Sequence, residues 1–142
     1  MEQRILPTID QFMSITGDKV RYCDTDRQGH VNNAIFSSFL ETGRVEILYN
    51  QNHPLYAEGC SFVIASLKLD FIDEILWPGE IQIGTKIARI GRSSITIEQG
   101  LYQNGNCVAL AETVIVQMDG RSRKSSPLPD STVAVLGKYL KA

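Results

Sequence analysis

From Asn33 onward the apolar residues fall at helical spacing: Phe36, Phe39, Leu40, Gly43 and Ile47, with Ile35 and Leu48 beside them, form one stripe. Residues three and four apart share a helix face, so this spacing predicts an amphipathic helix ending near residues 50–54. Ser37, Ser38, Glu41, Arg44 and Glu46 are expected largely on its opposite, solvated side. No longer helical pattern occurs in the chain. One such helix can cover one face of a sheet, and most of the chain beyond it reads as strand.

Residues 1–16 have no clear period and read as a lead-in. Residues 17–23 read as a first strand, with Val20 and Tyr22 on one face and Arg21 and Cys23 on the other. After the helix, residues 61–71 alternate, with Val63, Ala65, Leu67, Leu69 and Phe71 in phase. Pro78-Gly79 marks a turn, after which Ile81, Ile83 and Ile87 fall in phase around Thr85. Residues 91–93 are another break, Ile95 and Ile97 then alternate with Thr96 and Glu98, and Asn104-Gly105 is a strong hairpin signal. Residues 108–118 give a long final strand, and residues 133–140 a short terminal helix behind Pro127 and Pro129. One strand, a long helix, then three or four antiparallel strands joined by tight turns make an α+β domain. A single domain over residues 1–142 is expected, with its core at about 17–120 and a tail at 121–142.

With 43% hydrophobic and 21% charged residues the chain has the composition of a globular protein rather than a disordered one. A formal charge of -2 argues against nucleic acid as a partner, because phosphate binding needs a basic face. Cys23, Cys60 and Cys107 are scattered, with no C-x-x-C pair, and read as reduced thiols rather than a disulfide framework or zinc site. The first 16 residues lack the apolar core of a signal peptide, and no run approaches a membrane span. A cytoplasmic protein without a membrane partner is expected.

Chemistry concentrates just ahead of the helix, in Tyr22-Cys23-Asp24-Thr25-Asp26-Arg27-Gln28-Gly29-His30-Val31-Asn32-Asn33. A carboxylate placed before a helix can attack an electrophile or activate water, and the free N–H groups of the first turn can receive an oxyanion. Asp26 is the leading catalytic candidate. For Asp24 and Asp26 alike, capping the helix or turn is the structural alternative, and the residues alone leave it open. Asp24 is expected to serve turn stability. Gly29 admits backbone conformations closed to other residues. His30 reads as a positioning residue rather than the base, and Glu41, about two turns past Asn33, can support the site or simply be solvated. His53 has no visible partner, and two histidines without paired spacing make no metal site. Serine-hydrolase, dinucleotide and NTPase signatures are absent. Arg89, Arg92 and Ser93, with Ser94, cluster around Gly91, either as a solvated turn or as a phosphate contact.

Residues 20–48 resemble the hotdog-fold acyl-CoA thioesterases, particularly the 4-hydroxybenzoyl-CoA thioesterase-like branch. The resemblance rests on Asp24-Thr25-Asp26, on Gly29-His30-Val31-Asn32-Asn33 and on the apolar helix from Phe36, and extends more loosely over about residues 17–120. It implies an antiparallel sheet wrapped around one long central helix, and subunits paired as a homodimer or homotetramer with active sites at the interface. It implies that Asp26 acts as nucleophile or general base on the thioester, and that the backbone N–H of Asn33 polarises its carbonyl. It also implies that Arg92 and Ser93, with Arg89 nearby, lie where coenzyme A phosphates bind. Bulky aromatic residues at the helix start of the aromatic branch are replaced here by Asn32-Asn33. This is more similar to the long-chain fatty acyl branch, and points to fatty acid metabolism rather than a hydroxybenzoyl substrate.

Coenzyme A is a good leaving group, so this hydrolysis needs neither metal nor cofactor, and sequence does not separate the nucleophilic from the general-base route. Three alternatives accompany the acyl-CoA reading. The carrier can be an acyl-carrier protein. The enzyme can be a hotdog dehydratase, which uses a His with an acidic residue on the helix, loosely matched by His30 and Glu41. A non-catalytic acyl-CoA binding module is expected to lack an acid at position 26, and Asp26 counts against it.

Overall fold

The apolar stripe is a helix, α1 (Asn33–Leu48), in a computed structural model that describes residues 5–49 and 52–140. Five strands accompany it: β1 (Ser14–Lys19), β2 (Cys60–Phe71), β3 (Glu80–Ile90), β4 (Ser94–Gln103) and β5 (Asn106–Asp119). They form one sheet in the order β1-β3-β4-β5-β2, and every pairing is antiparallel. The predicted α+β class and the four strands after the helix are thus present. Among the described residues no helix is long and apolar enough to cross a membrane.

Helix α1 lies on β1, β3 and β4. Phe36, Phe39 and Leu40 meet Ile81, Ile83 and Leu101 at one end, and Ile47 and Leu48 meet Ile87, Ile95, Ile97 and Ile115 at the other. Gly43 lets the helix approach the sheet, because a Cβ there would lie 2.5 Å from Ile83 Cγ2 and 2.7 Å from Thr85 Oγ1. Arg44 was expected on the solvated side and is instead buried, donating to Gln99 Oε1 at 3.4 Å. Burial pushes its guanidinium pKa down, and the nearby Glu41 charge opposes that shift. Gln99 is anchored in turn, donating to the Leu40 carbonyl and to Thr85 Oγ1.

The first strand starts earlier than residues 17–23 and stops at Lys19. Its partner β3 begins at Glu80, opposite Lys19, so only Val20 N–H to the Gly79 carbonyl continues the pairing. Beyond it the chain tightens into a 3₁₀ turn (Tyr22–Asp24). The predicted phase of β2 also changes. A bulge between Ile64 and Ser66 puts Phe62 and Ile64, not Val63 and Ala65, opposite the inward Gln117 and Ile115 of β5. Phe62, Ile64, Leu67, Leu69 and Phe71 therefore form one apolar row on the helix side of the sheet. That row is poorly covered, with Ile64, Leu67 and Phe71 exposed.

The predicted hairpin at Asn104-Gly105 joins β4 to β5, and both residues have positive φ (53° and 80°), as a type I′ turn requires. The terminal helix comes earlier than 133–140, as α2 (Asp130–Leu136) followed by a 3₁₀ turn (Gly137–Tyr139). Leu128 and Leu136 join the core beside Ile87 and Ile115, so the tail is packed on the sheet.

Candidate active site

The loop at residues 26–30 is closed by its own backbone. Asp26 N–H donates to the His30 carbonyl at 2.8 Å, and Gly29 N–H to the Asp26 carbonyl at 3.3 Å. Gly29 has φ +79°, a left-handed conformation that other residues rarely adopt, so the turn calls for glycine. The exposed Asp26 side chain completes the loop, its Oδ1 accepting from Gln28 N–H at 2.8 Å and His30 N–H at 3.2 Å. Both bonds fall on one oxygen, and among the described residues Oδ2 accepts none.

Asn32 is the N-cap of α1, accepting from Ala34 N–H at 3.0 Å. Capping of α1 thus belongs to Asn32, whereas the two aspartates cap turns, Asp26 the loop at 26–30 and Asp24 the 3₁₀ turn at its Arg21 end. Asn33, the first helical residue, has no acceptor for its N–H within the helix, like every residue of a first turn. Asp24 is only 1% exposed and takes the Arg21 N–H at 2.9 Å and the Arg21 guanidinium at 3.0 Å. Its hydrogen bond, and then its charge, push the Arg21 pKa up. The Asp24 carbonyl accepts from Asn32 N–H at 2.8 Å, so this clamp sets the approach of the loop to the helix.

The segment that leaves β2 supplies a second wall. His30 pairs with Leu76 as an isolated bridge, and Val31 N–H donates to the Ile75 carbonyl at 2.8 Å. The His30 Nε2 lies 3.1 Å from Glu74 Oε2. Gln103, at the end of β4, fastens this wall from behind: its amide donates to the Leu76 carbonyl at 2.8 Å and accepts from Leu76 N–H at 2.9 Å.

Asp26, His30, Asn33, Phe36, Phe71 and Glu74 line one cavity of about 290 Å³. Its floor is apolar, with Phe36 and Phe71 edge to face at 5.0 Å between ring centres. Its mouth holds carboxylates, an imidazole and the start of α1. Such a site can take an apolar group with a polarised carbonyl and present a carboxylate to it.

The three catalytic candidates Asp26, His30 and Asn33 therefore share a cavity. Arg89, Arg92 and Ser93 do not. They sit at the opposite end of β3, about 30 Å from its start at strand rise per residue. There the Arg92 carbonyl accepts from Leu128 N–H and the Ser93 carbonyl from Gln117 N–H. Glu41 is likewise absent from the cavity; it lines another, nearer the helix C-terminus. His30 meets Glu74 instead, a partner the sequence reading missed. The signal available was the acidic pair Asp73-Glu74 directly after an apolar strand, but nothing local ties it to His30.

A model of the thioesterase-like superfamily matches residues 20–136. The acyl-CoA thioester hydrolase YbgC of Escherichia coli O6:H1 is 28% identical over 120 residues, covering 82% of this chain and 90% of that protein. The acyl-CoA thioesterase YbgC of Helicobacter pylori is 31% identical over 84 residues, covering 59% and 63%. Among solved structures, a thioesterase from Thermus thermophilus complexed with coenzyme A and Zn has a TM-score of 0.76 and 28% identity, covering 88% of this chain and 98% of that one. The PA5185 protein of Pseudomonas aeruginosa has the same fold, with a TM-score of 0.85 at 24% identity, covering 96% and 97%.

Proposed function

Because the chain belongs to the thioesterase-like superfamily, a family of hotdog-fold thioester hydrolases, we propose that it cleaves acyl-CoA thioesters in the cavity between Asp26 and the start of α1. The observation that carries this reading is that Asp26 and Asn33 line the same cavity above an apolar floor. The thioester oxygen accepts from the Asn33 N–H, where the helix dipole favours developing negative charge. Asp26 attacks the carbonyl carbon, expelling the thiolate and leaving an anhydride for water to open, or it takes a proton from a water that attacks directly. Either route yields the free acid and coenzyme A. The two amide donors on Asp26 Oδ1 hold the carboxylate in place without using its other oxygen. His30, engaged by Glu74, positions the loop. A dehydratase pairing of His30 with Glu41 has no support, because Glu41 lines a different cavity.

The active species in this reading is a homodimer or an assembly of dimers. The uncovered apolar row on β2, which is also an edge strand, calls for a partner surface. In a dimer the Arg89, Arg92 and Ser93 end of one copy meets the phosphates of a coenzyme A held at the Asp26 cavity of the other. An active monomer at micromolar concentration, measured by light scattering, contradicts it.

Asp26→Asn is the test of mechanism. It is expected to keep the fold and lower kcat by at least about 10²-fold, the usual scale for a positioned acid–base group. Asp24→Asn, which acts on the Arg21 clamp, should instead show mainly as lost stability. Asp26→Asn turnover within a few-fold of wild type removes Asp26 from the chemistry.

A further inference from the structure

His30 and Glu74 meet at the Asp26 cavity, with Nε2 and Oε2 3.1 Å apart and the two side chains 35% and 49% exposed. An ion pair so open to water adds little to stability, so folding alone does not account for it. The backbone sets the two residues face to face: His30 bridges Leu76, Val31 N–H donates to the Ile75 carbonyl, and Glu74 N–H donates to Asp73 Oδ1 at 2.8 Å. The main chain of the same histidine reaches the candidate nucleophile, its N–H donating to Asp26 Oδ1 at 3.2 Å. One residue therefore joins the reacting carboxylate to Glu74.

Glu74 decides how the imidazole can serve. A carboxylate facing Nε2 favours the tautomer that carries its proton there, which leaves the lone pair on Nδ1. Among the described residues Nδ1 has no hydrogen-bond partner. Asp26, Asp73 and Glu74 line the cavity with His30, and among the described residues no lysine or arginine does. An imidazolium formed there during reaction is stabilised by those negative charges. A base oriented by a third group, and stabilised once it has taken a proton, is the arrangement that activates water.

We propose that His30, positioned by Glu74, is the general base of a second half-reaction, in which water opens the anhydride between the acyl group and Asp26. The inference rests on the thioester reading of the Asp26 cavity and selects its nucleophilic route. In the first half-reaction Asp26 Oδ2, which carries none of the amide bonds made to Oδ1, bonds to the carbonyl carbon. The C–S bond breaks and coenzyme A leaves as the thiolate. In the second, a water oxygen bonds to the acyl carbon while its proton passes to His30 Nδ1, and the bond from that carbon to Asp26 breaks. The acid departs and the Asp26 carboxylate is restored. The imidazolium returns its proton, through solvent, to the thiolate. Glu74 touches neither water nor substrate and acts through His30 alone.

Kinetics separate this role from one of merely holding the loop. kcat/KM reports the steps up to acylation, whereas slowed deacylation lowers kcat and KM together. Glu74→Gln keeps the size of the half-exposed side chain and removes its charge. It is expected to lower kcat at least about 10-fold, part of the roughly 10²–10⁴ that a general base contributes, with kcat/KM within a few-fold of wild type. Stopped-flow detection of free thiol from an acyl-CoA should then show a rapid burst of about one thiol per site before slow turnover. Acid-quenched protein should carry the mass of one acyl group, and Asp26→Asn should remove that adduct. His30→Gln, which retains the backbone N–H to Asp26, should show the same pattern more strongly, and the double variant should be no slower than His30→Gln alone. A parallel fall of kcat and kcat/KM without a burst makes Glu74 a support of the loop and overturns the proposal. An unchanged kcat in Glu74→Gln overturns it too, as does the lack of an acyl adduct in both variants. In each of those cases wild-type turnover stands, and the thioesterase reading with it. A wild type that releases no thiol from any acyl-CoA overturns both.

Discussion

Gly43→Ala sets helix propensity against packing, and the structure decides which prevails. In an exposed helix interior this change stabilises by about 0.8–1 kcal/mol, because glycine has the larger backbone entropy to lose. At Gly43 the new methyl would sit 2.5 Å from Ile83 Cγ2, 2.7 Å from Gln99 Nε2 and 2.7 Å from Thr85 Oγ1. None of the three can yield easily: Ile83 and Thr85 are fully buried on β3, and Gln99 is held by the Leu40 carbonyl and the Thr85 hydroxyl. Overpacking of this kind costs about 1–3 kcal/mol, and displacing the Gln99 amide gives up about 0.5–1.5 kcal/mol per hydrogen bond. The propensity gain is smaller than the sum, so Gly43→Ala is expected to destabilise by about 1–3 kcal/mol. Urea unfolding reads this as a midpoint lower by about 1 M at an m-value near 2 kcal/mol/M. Protein concentration must be the same for both forms, because assembly feeds into apparent stability. A midpoint equal to or above that of wild type refutes the argument that α1 touches the sheet through Gly43.

Two further outcomes concern the walls of the site. Gln103→Leu strips both polar partners from Leu76, whose backbone carries the bridge to His30; it should lower stability by about 1–2 kcal/mol in the same assay and also reduce kcat/KM. Mixing tests the trans arrangement. Arg92→Ala alone should raise KM for acyl-CoA more than it lowers kcat, and less so for a truncated thioester without phosphates. Exchanging its subunits with Asp26→Asn should restore a low-KM site made of one intact Asp26 and one intact Arg92. A KM that stays high after exchange shows that Arg92 does not reach the partner's cavity.

The local features of the chain were legible without coordinates. Helix α1 and the Asn104-Gly105 hairpin follow from periodicity and turn chemistry, both of which act over a few residues. The shared cavity of Asp26, His30 and Asn33 was readable for the same reason, since one short loop joins them. Tertiary structure was required for whatever depended on a distant partner. The end of β1 is set by where β3 begins, and the inward face of β2 by a bulge in its register with β5. Glu74 meets His30 because backbone pairing of His30 and Val31 with Leu76 and Ile75, backed by Gln103, lays the segment after β2 along the loop. Arg44 reads as a solvated charge beside Glu41 in the sequence and becomes a buried cation because the helix is drawn against β3 and β4 at Gly43. Spacing along a chain reports which residues share a face; only packing decides what that face meets, because contact and desolvation energies belong to pairs of surfaces.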